Sequence, residues 1–267
     1  MMPTRGRNAR GFSLVELLTA LTILIIVCGV AFELLMVSMK KYRSDSQLLN
    51  TFQEARFGLD QIVRDVNDSG YPPRNNTQSN QTPPPNTYAV TPFAWGPNGT
   101  YPNSPCTIGT NCSTPNGYDL VIETDIDPAN KNHVEWVRYQ LQNTTLYRGV
   151  VSKAGTDPDG STGGLDVLVP YVQNVMNNPS AAQLAAIQAT YPSLFPGGNP
   201  VPIFQYFCET TPQPVDCTSV AASTHDPPHI VSVVVTLIVQ APTADMTTGR
   251  LQVVQLKGEG RRLNPDY

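Results

Sequence analysis

Hydrophobic positions divide the chain into an apolar N-terminal run, an amphipathic continuation and a longer part with strand-like alternation. The run from Leu17 to Phe32 contains no charged residue, and Glu16 and Glu33 stand on either side of it. Counted from Phe12 to Met39 it is about 28 residues, or roughly 42 Å of α-helix, which is enough to span a bilayer with some tilt. The pattern therefore predicts a transmembrane helix over about 12–39.

Beyond Met39 the helical period continues, with apolar residues on one face and charged residues mostly on the others. The apolar positions are Leu48, Phe52, Ala55, Leu59, Ile62 and Val66. Asn67 to Gly70 and the two prolines after Tyr71 end the pattern, since glycine favours a helix C-terminus and proline blocks continuation. We expect one stem helix over 12–67, about 80 Å long. The alternative is a membrane anchor joined near Lys40 to a separate short helix.

The stretch 68–117 is rich in Pro, Asn, Thr and Gly and has little apolar periodicity. This composition predicts a long surface excursion, a variable region held down by Phe93 and Trp95 and by a cysteine loop.

Strand patterns fill most of the remaining part, 118–267. They cover 118–124, 134–141, 146–151, 165–175, 203–207, 230–239 and 251–256. Asn143 and Thr144 predict a hairpin turn, and the alanine-rich segment 180–189 predicts a short helix. The fold class that follows is α+β, with an antiparallel β-sheet head over 118–267 packed on the outer half of the stem.

Composition changes this picture little, except for the cysteines. The 267-residue chain has a formal net charge of −4 and 14% charged residues, which gives no electrostatic footprint for nucleic acid. Cys106 lies close to Cys112, and Cys208 lies close to Cys217. Two local pairs fit small disulfide loops in an oxidising compartment such as the periplasm, although the connectivity stays open. The alternative is five free thiols, Cys28 included, in a cytosolic protein.

Glu16 is the anomaly of the apolar run. An ionised carboxylate inside hydrocarbon costs on the order of 2.5 kcal/mol or more, so it needs a partner. If the chain is cut after Gly11, the new α-amino group on Phe12 lies four residues from Glu16, one helical turn away and opposite in charge. The basic residues Arg5, Arg7 and Arg10 precede this point.

The hexapeptide Gly11-Phe12-Ser13-Leu14-Val15-Glu16 resembles the cleavage and methylation motif of type IV pilins and type II secretion pseudopilins. The resemblance implies that a prepilin peptidase cuts after Gly11 and methylates Phe12, and that Glu16 places the subunit beside its neighbour. It also implies a cytoplasmic leader over 1–11, a single pass through the lipid of a bacterial inner membrane, a periplasmic head and a later place in a pilus. The alternatives are a secretory signal cleaved near Ala31 and a lipoprotein signal around Cys28.

The residues of the predicted hairpin make the resemblance to this family more specific. Its residues Val137, Tyr139 and Leu141, then Leu146, Tyr147 and Arg148, are similar to minor pilins of the PilW and PulJ type. This implies a non-catalytic minor pilin that acts in pilus assembly or initiation with other major and minor pilins, a system also linked to cell adhesion. The alternatives are a J-type pseudopilin of type II secretion and a membrane-anchored adhesin or binding protein. Glu33, in the membrane run, departs from the pattern.

No catalytic, cofactor or metal site is expected. His225 and His229 are four residues apart, but the two prolines between them exclude the α-helix that would place both on one metal. Asp157 to Ser161 resembles the start of a calcium loop but lacks its later ligands. The sequence contains no nucleophile elbow, phosphate loop or Cys–His nucleophile pattern.

Overall fold

The structure is a computed structural model that describes residues 13–74, 85–97, 101, 103–128, 133–155, 167–219, 224–246 and 248–263. These residues form a long helix, two four-stranded antiparallel sheets, a two-stranded ladder and a short second helix. The helices are α1 (Leu14–Asn67) and α2 (Ala181–Thr190). The strands are β1 (Gly96–Pro97), β2 (Cys112–Thr114), β3 (Asp119–Thr124), β4 (Glu135–Gln142), β5 (Thr145–Ser152), β6 (Val169–Val172), β7 (Phe204–Cys208), β8 (Val215–Asp216), β9 (Ile230–Ala244) and β10 (Leu251–Arg261).

Helix α1 runs for 54 residues without a break at Lys40, so the predicted continuous stem is confirmed. It ends where the sequence places its stop signals. The N–H of Asp68 donates to the carbonyl of Arg64 at 3.0 Å. Gly70 follows with φ of 81°, a backbone conformation that glycine adopts without the steric cost of a Cβ atom.

The antiparallel head contains two sheets, whereas the strand patterns led us to expect one. The first sheet has the order β3-β4-β5-β6, and the second has the order β10-β9-β7-β8. Val175 and Val239 form an isolated bridge between the two sheets. The difference arises because hydrophobic alternation identifies strands but not the order in which they pair. Helix α1 packs against strands of both sheets.

The stretch 68–117 is only partly the surface excursion that its composition predicts. Phe93 is fully buried in the main core, and Trp95 is 4% exposed. Backbone hydrogen bonds join this stretch to β3: Ala94 N–H donates to the carbonyl of Val121, and Glu123 N–H donates to the carbonyl of Pro92, both at 3.0 Å. Residues 92–94 therefore lie along the edge of β3.

Two glycines allow α1 to approach the sheets closely. A Cβ atom at Gly58 would lie 2.4 Å from Cγ2 of Val172 on β6, and one at Gly260 on β10 would lie 2.7 Å from Cβ of Val66. Real Cβ atoms do not occur this close to their neighbours. One of these glycines lies on α1 and the other on β10. Together they let the outer half of α1 pack closely against both sheets.

Candidate assembly site on the N-terminal helix

The start of α1 is a capping box built from Ser13 and Glu16. The backbone N–H of Val15 donates to Oγ of Ser13 at 3.3 Å, and the N–H of Ser13 donates to Oε2 of Glu16 at 3.0 Å. These bonds occupy N–H groups that have no partner within the helix. Gly11 and Phe12 lie outside the described residues. Glu16 therefore caps its own helix in the isolated chain, in addition to any role between subunits.

The inner half of α1 is exposed on all sides. Each residue from Leu14 to Met39 is exposed, and this part of α1 is long and apolar enough to cross a membrane. The hydroxyl groups of Thr19 and Thr22 are satisfied within the helix, by the carbonyls of Glu16 and Leu18 at 3.0 Å. The apolar face of this half has no cover in the isolated chain, so lipid or other helices must supply it.

The outer half of α1 is fixed to the head by a polar cluster around Asp65, which is 3% exposed. The hydroxyl of Tyr139 on β4 donates to Oδ2 of Asp65 at 2.5 Å, and Nη2 of Arg148 on β5 donates to the same oxygen at 3.0 Å. Nε of Arg148 also donates to the Tyr139 hydroxyl oxygen at 2.9 Å. Gln61 donates to the other carboxylate oxygen at 2.6 Å.

The electrostatics of this cluster follow from burial and charge. Burial raises the pKa of Tyr139 well above its usual range, and the carboxylate of Asp65 raises it further. Burial lowers the pKa of Arg148, but Tyr139 and Asp65 outweigh that effect and raise it. The phenol of Tyr139 therefore stays a neutral hydrogen-bond donor. Asp65 and Arg148 form a partly buried ion pair that joins α1 to the first sheet.

A second buried pair fixes the stretch 85–95. Nζ of Lys153 lies 2.8 Å from Oε2 of Glu123, and both side chains are fully buried. Glu123 also accepts hydrogen bonds from the N–H of Val90 at 2.7 Å and from Nε1 of Trp136 at 3.3 Å. Burial raises the pKa of Glu123 and lowers that of Lys153, each against the opposing charge of its partner.

Disulfides join Cys106 to Cys112 and Cys208 to Cys217, while Cys28 is free and exposed. The first loop lies against the residue that follows the second, because a Cβ atom at Gly109 would lie 2.8 Å from Cγ2 of Thr218. A cleft of about 580 Å³ lies beside them. Its wall includes Asp216, whose pKa burial raises but hydrogen bonds from Gln205 and Thr218 lower to a value below its usual range.

The histidines of the sequence do not meet on a common site. His225 is buried, and Nδ1 of His229 forms a hydrogen bond with Oδ1 of Asp226. The prolines between them begin a single 3-10 turn, Pro227–His229. Within the described parts of the chain, no group of three or more His, Cys, Asp or Glu side chains is arranged to hold a metal ion. Asp157 to Ser161 lies outside those parts.

Sequence reasoning did not find either buried pair. A signal was present for the first, because Asp65 stands between Ile62 and Val66 on the apolar stripe of the stem. Tyr139 and Arg148 are cross-strand neighbours in the register of β4 and β5, which the predicted hairpin already aligned. A charged residue on an apolar face indicates a buried partner, but the sequence did not say which residue that partner is.

Comparison with known families decides what the N-terminus is. Residues 6–32 match the family model of the prokaryotic N-terminal methylation motif, about a tenth of the 267-residue chain. The chain carries a prepilin N-terminal methylation motif. Together with the long helix and the antiparallel sheets, this motif gives the chain a type IV pilin-like architecture. No curated protein and no solved structure matches the chain significantly.

The motif supports a type IV pilin or pseudopilin, a class of structural subunits that are generally non-catalytic. It implies processing by prepilin peptidase and association with other pilins. With the apolar half of α1, it fits a pilin anchored in the inner membrane. In this type IV pilin-like chain, the processing motif is followed by a stem whose inner half is exposed and whose outer half packs against the sheets.

Proposed function

We propose that the chain is a minor type IV pilin that takes part in pilus assembly or initiation and has no catalytic activity of its own. One observation carries this proposal. The prepilin motif opens an uninterrupted helix whose membrane-length half is bare, while its outer half is built into the head. An anchor alone needs only the first half. A stem that projects uncovered from a folded head is suited to packing among other stems.

In this proposal prepilin peptidase cuts after Gly11 and methylates the new N-terminus, Phe12. The leader 1–11 is lost and the stem 12–67 stays in the inner membrane, with 68–117 as a variable region on a periplasmic head, 118–267. Glu16 then pairs with the Phe12 amine of a neighbouring subunit, because a charge in lipid gains most from a partner of opposite sign.

Mass spectrometry of the mature N-terminus tests the processing step. The expected result is a chain that begins at N-methylated Phe12, in a strain that contains prepilin peptidase, and an uncut chain in a strain without it. Gly11→Ala provides the matched variant, which should stay uncut with the peptidase present. A chain that keeps residues 1–11 in the wild-type strain would contradict the proposal.

A deletion strain separates the pilus from the secretion machine. We expect loss of pili with normal secretion of exoproteins, because the Pro- and Asn-rich stretch 68–117 and the second cysteine loop depart from the pattern of the shorter secretion pseudopilins that the chain resembles. Loss of secretion with normal pili would instead assign the chain to type II secretion. The cleft beside the two disulfide loops favours one further candidate, an adhesin, and loss of attachment by piliated cells would support it.

A further inference from the structure

The inner half of α1 carries a polar stripe along one side. Thr19, Thr22, Gly29, Glu33 and Lys40 follow one another at spacings of three, seven, four and seven residues. At 3.6 residues per turn these five positions lie within an arc of about 80°. All five are exposed. Small and hydroxyl-bearing residues on one side of a membrane helix are typical of surfaces that pack against another helix.

Glu33 is the residue on this stripe that most needs a partner. Among the described residues, no side chain forms an ion pair or hydrogen bond with its carboxylate. If Glu33 lies in lipid, its unpaired charge is strongly unfavourable. If it lies in water, the exposed apolar residues that follow it lie in water too. These residues are Leu34, Leu35, Met36, Val37 and Met39.

Either position leaves one stem with an unfavourable surface, and a second stem relieves both costs at once. The chain itself carries the complementary charge, because Lys40 lies seven residues beyond Glu33 on the same stripe. Lys41, the next residue, projects about 100° away from Lys40 around the helix. A spacing of seven residues keeps positions on a common seam when two helices pack in parallel.

We propose that the stems of two copies of this chain pack in parallel along this stripe, staggered by seven residues, so that Glu33 of one copy pairs with Lys40 of the other. The stagger is about 10 Å at 1.5 Å per residue. It also places Gly29 of one copy opposite Thr22 of the other. A Cβ atom at Gly29 would meet nothing within 4 Å in the isolated chain, so the close approach there is open to the partner's backbone.

Parallel packing follows from insertion, since both copies cross the membrane in the same direction. The proposal goes beyond the assembly function above, because it names a self-contact that does not involve Glu16 or cleavage at Gly11. A chain that fails to be processed would still carry the stripe. The experiment therefore reads the contact directly and does not depend on pilus formation.

Disulfide crosslinking in membranes tests the contact. Two full-length copies with different epitope tags are co-expressed, both with Cys28→Ser, one with Glu33→Cys and the other with Lys40→Cys. The control pair is Leu35→Cys with Tyr42→Cys, which has the same spacing but lies on the opposite side of α1. We expect several-fold more two-tag dimer from the first pair than from the control. Equal yields from the two pairs, or dimers that contain only one tag, would overturn the proposal.

Charge exchange separates a specific pair from simple crowding. The reporter is the pair Thr22→Cys with Gly29→Cys, again in the Cys28→Ser background. Glu33→Lys in both copies should reduce reporter crosslinking several-fold, and adding Lys40→Glu should restore it. Glu33→Gln should also reduce it. Undiminished crosslinking with Glu33→Gln would mean that Glu33 merely reaches water at the membrane surface, and lack of recovery in the exchanged pair would equally contradict the proposal.

Discussion

The hydroxyl of Tyr139 donates a hydrogen bond of 2.5 Å to Oδ2 of Asp65, which joins the first sheet to the stem helix from inside the core. Arg148 binds the same carboxylate oxygen from the neighbouring strand, at 3.0 Å. A buried carboxylate is costly to leave unpaired, so these bonds specify which turn of α1 lies against β4 and β5. The outer end of α1 is thereby held in one register against the first sheet.

Asp65→Asn should lower the free energy of unfolding of the head by about 2 kcal/mol, because hydrogen bonds to charged groups contribute about 1.5–3 kcal/mol each. Tyr139→Phe should cost less, since Arg148 still pairs with the carboxylate. Both tryptophans, Trp95 and Trp136, are buried in the head, so their fluorescence in urea reports its unfolding in the full chain in detergent. Asp60→Asn, an exposed change on the same helix, is the control and should have little effect.

Lys153→Met should make the free energy of unfolding of the head strongly dependent on pH. Burial already raises the pKa of Glu123 above its ordinary 4.5, so the native state binds this proton more tightly than the unfolded chain does. The free energy of unfolding contributed by Glu123 therefore falls as pH rises from 4.5 through the native pKa. Without Lys153 that native pKa rises further, and the loss extends to higher pH, reaching about 3 kcal/mol for an uncompensated buried charge.

The measurement for this pair is the urea midpoint of tryptophan fluorescence at pH 5 and at pH 8. The single variant should lose more stability between these values than the wild type. The matched control is Lys153→Met with Glu123→Gln, in which the titrating carboxylate is gone and the added pH dependence should disappear. The same pH dependence in the single and double variants would show that another group is responsible.

Gly58→Ala should destabilise the head, although alanine is the better helix former by about 1 kcal/mol. The new methyl group would lie 2.4 Å from Cγ2 of Val172, which is itself fully buried. Overpacking of this kind costs about 1–3 kcal/mol, enough to reverse the sign of the helix-propensity effect. Urea unfolding of Gly58→Ala, and of Gly58→Ala with Val172→Ala, checks this, and the second variant should unfold closer to the wild type.

The sequence was informative wherever one segment determines its own structure. The 54-residue helix, the hairpin turn at Asn143 and the short helix α2 all follow from local periodicity and turn residues. The division of the strands into two sheets did not follow, because pairing order depends on contacts between distant segments. Phe93 was expected only to hold down a surface loop, yet it lies in the main core and bridges to Ile122 of β3.

The candidate site divides in the same way. Glu16 stood out because a carboxylate in an apolar run is costly, and no tertiary contact is needed to see it. Its capping bond from the Ser13 N–H is local as well, since Ser-x-x-Glu is a helix-start signature. Lys153 gave no such signal. It lies just after β5, between Ser152 and Ala154, and its partner Glu123 is 30 positions away.

Glu16→Ala should leave the protein inserted in the membrane but impair its incorporation into filaments, if Glu16 pairs with a neighbouring subunit as proposed. Insertion depends on the apolar residues from Leu17 onward, which this change leaves intact. Immunoblots of membranes and of sheared pili measure the two outcomes separately. Normal piliation by this variant, with the variant chain present in the pili, would refute the pairing role.

Glu16→Gln then separates charge from capping. Its amide oxygen can still accept the hydrogen bond from the Ser13 N–H, which lies 3.0 Å from the carboxylate in the native chain, but it cannot form an ion pair. If pairing with the Phe12 amine is what assembly requires, Glu16→Gln should be as defective as Glu16→Ala. If the capping box alone mattered, Glu16→Gln would incorporate normally. The difference between the two variants therefore assigns the role of this carboxylate, because one removes the charge and the other removes both the charge and the cap.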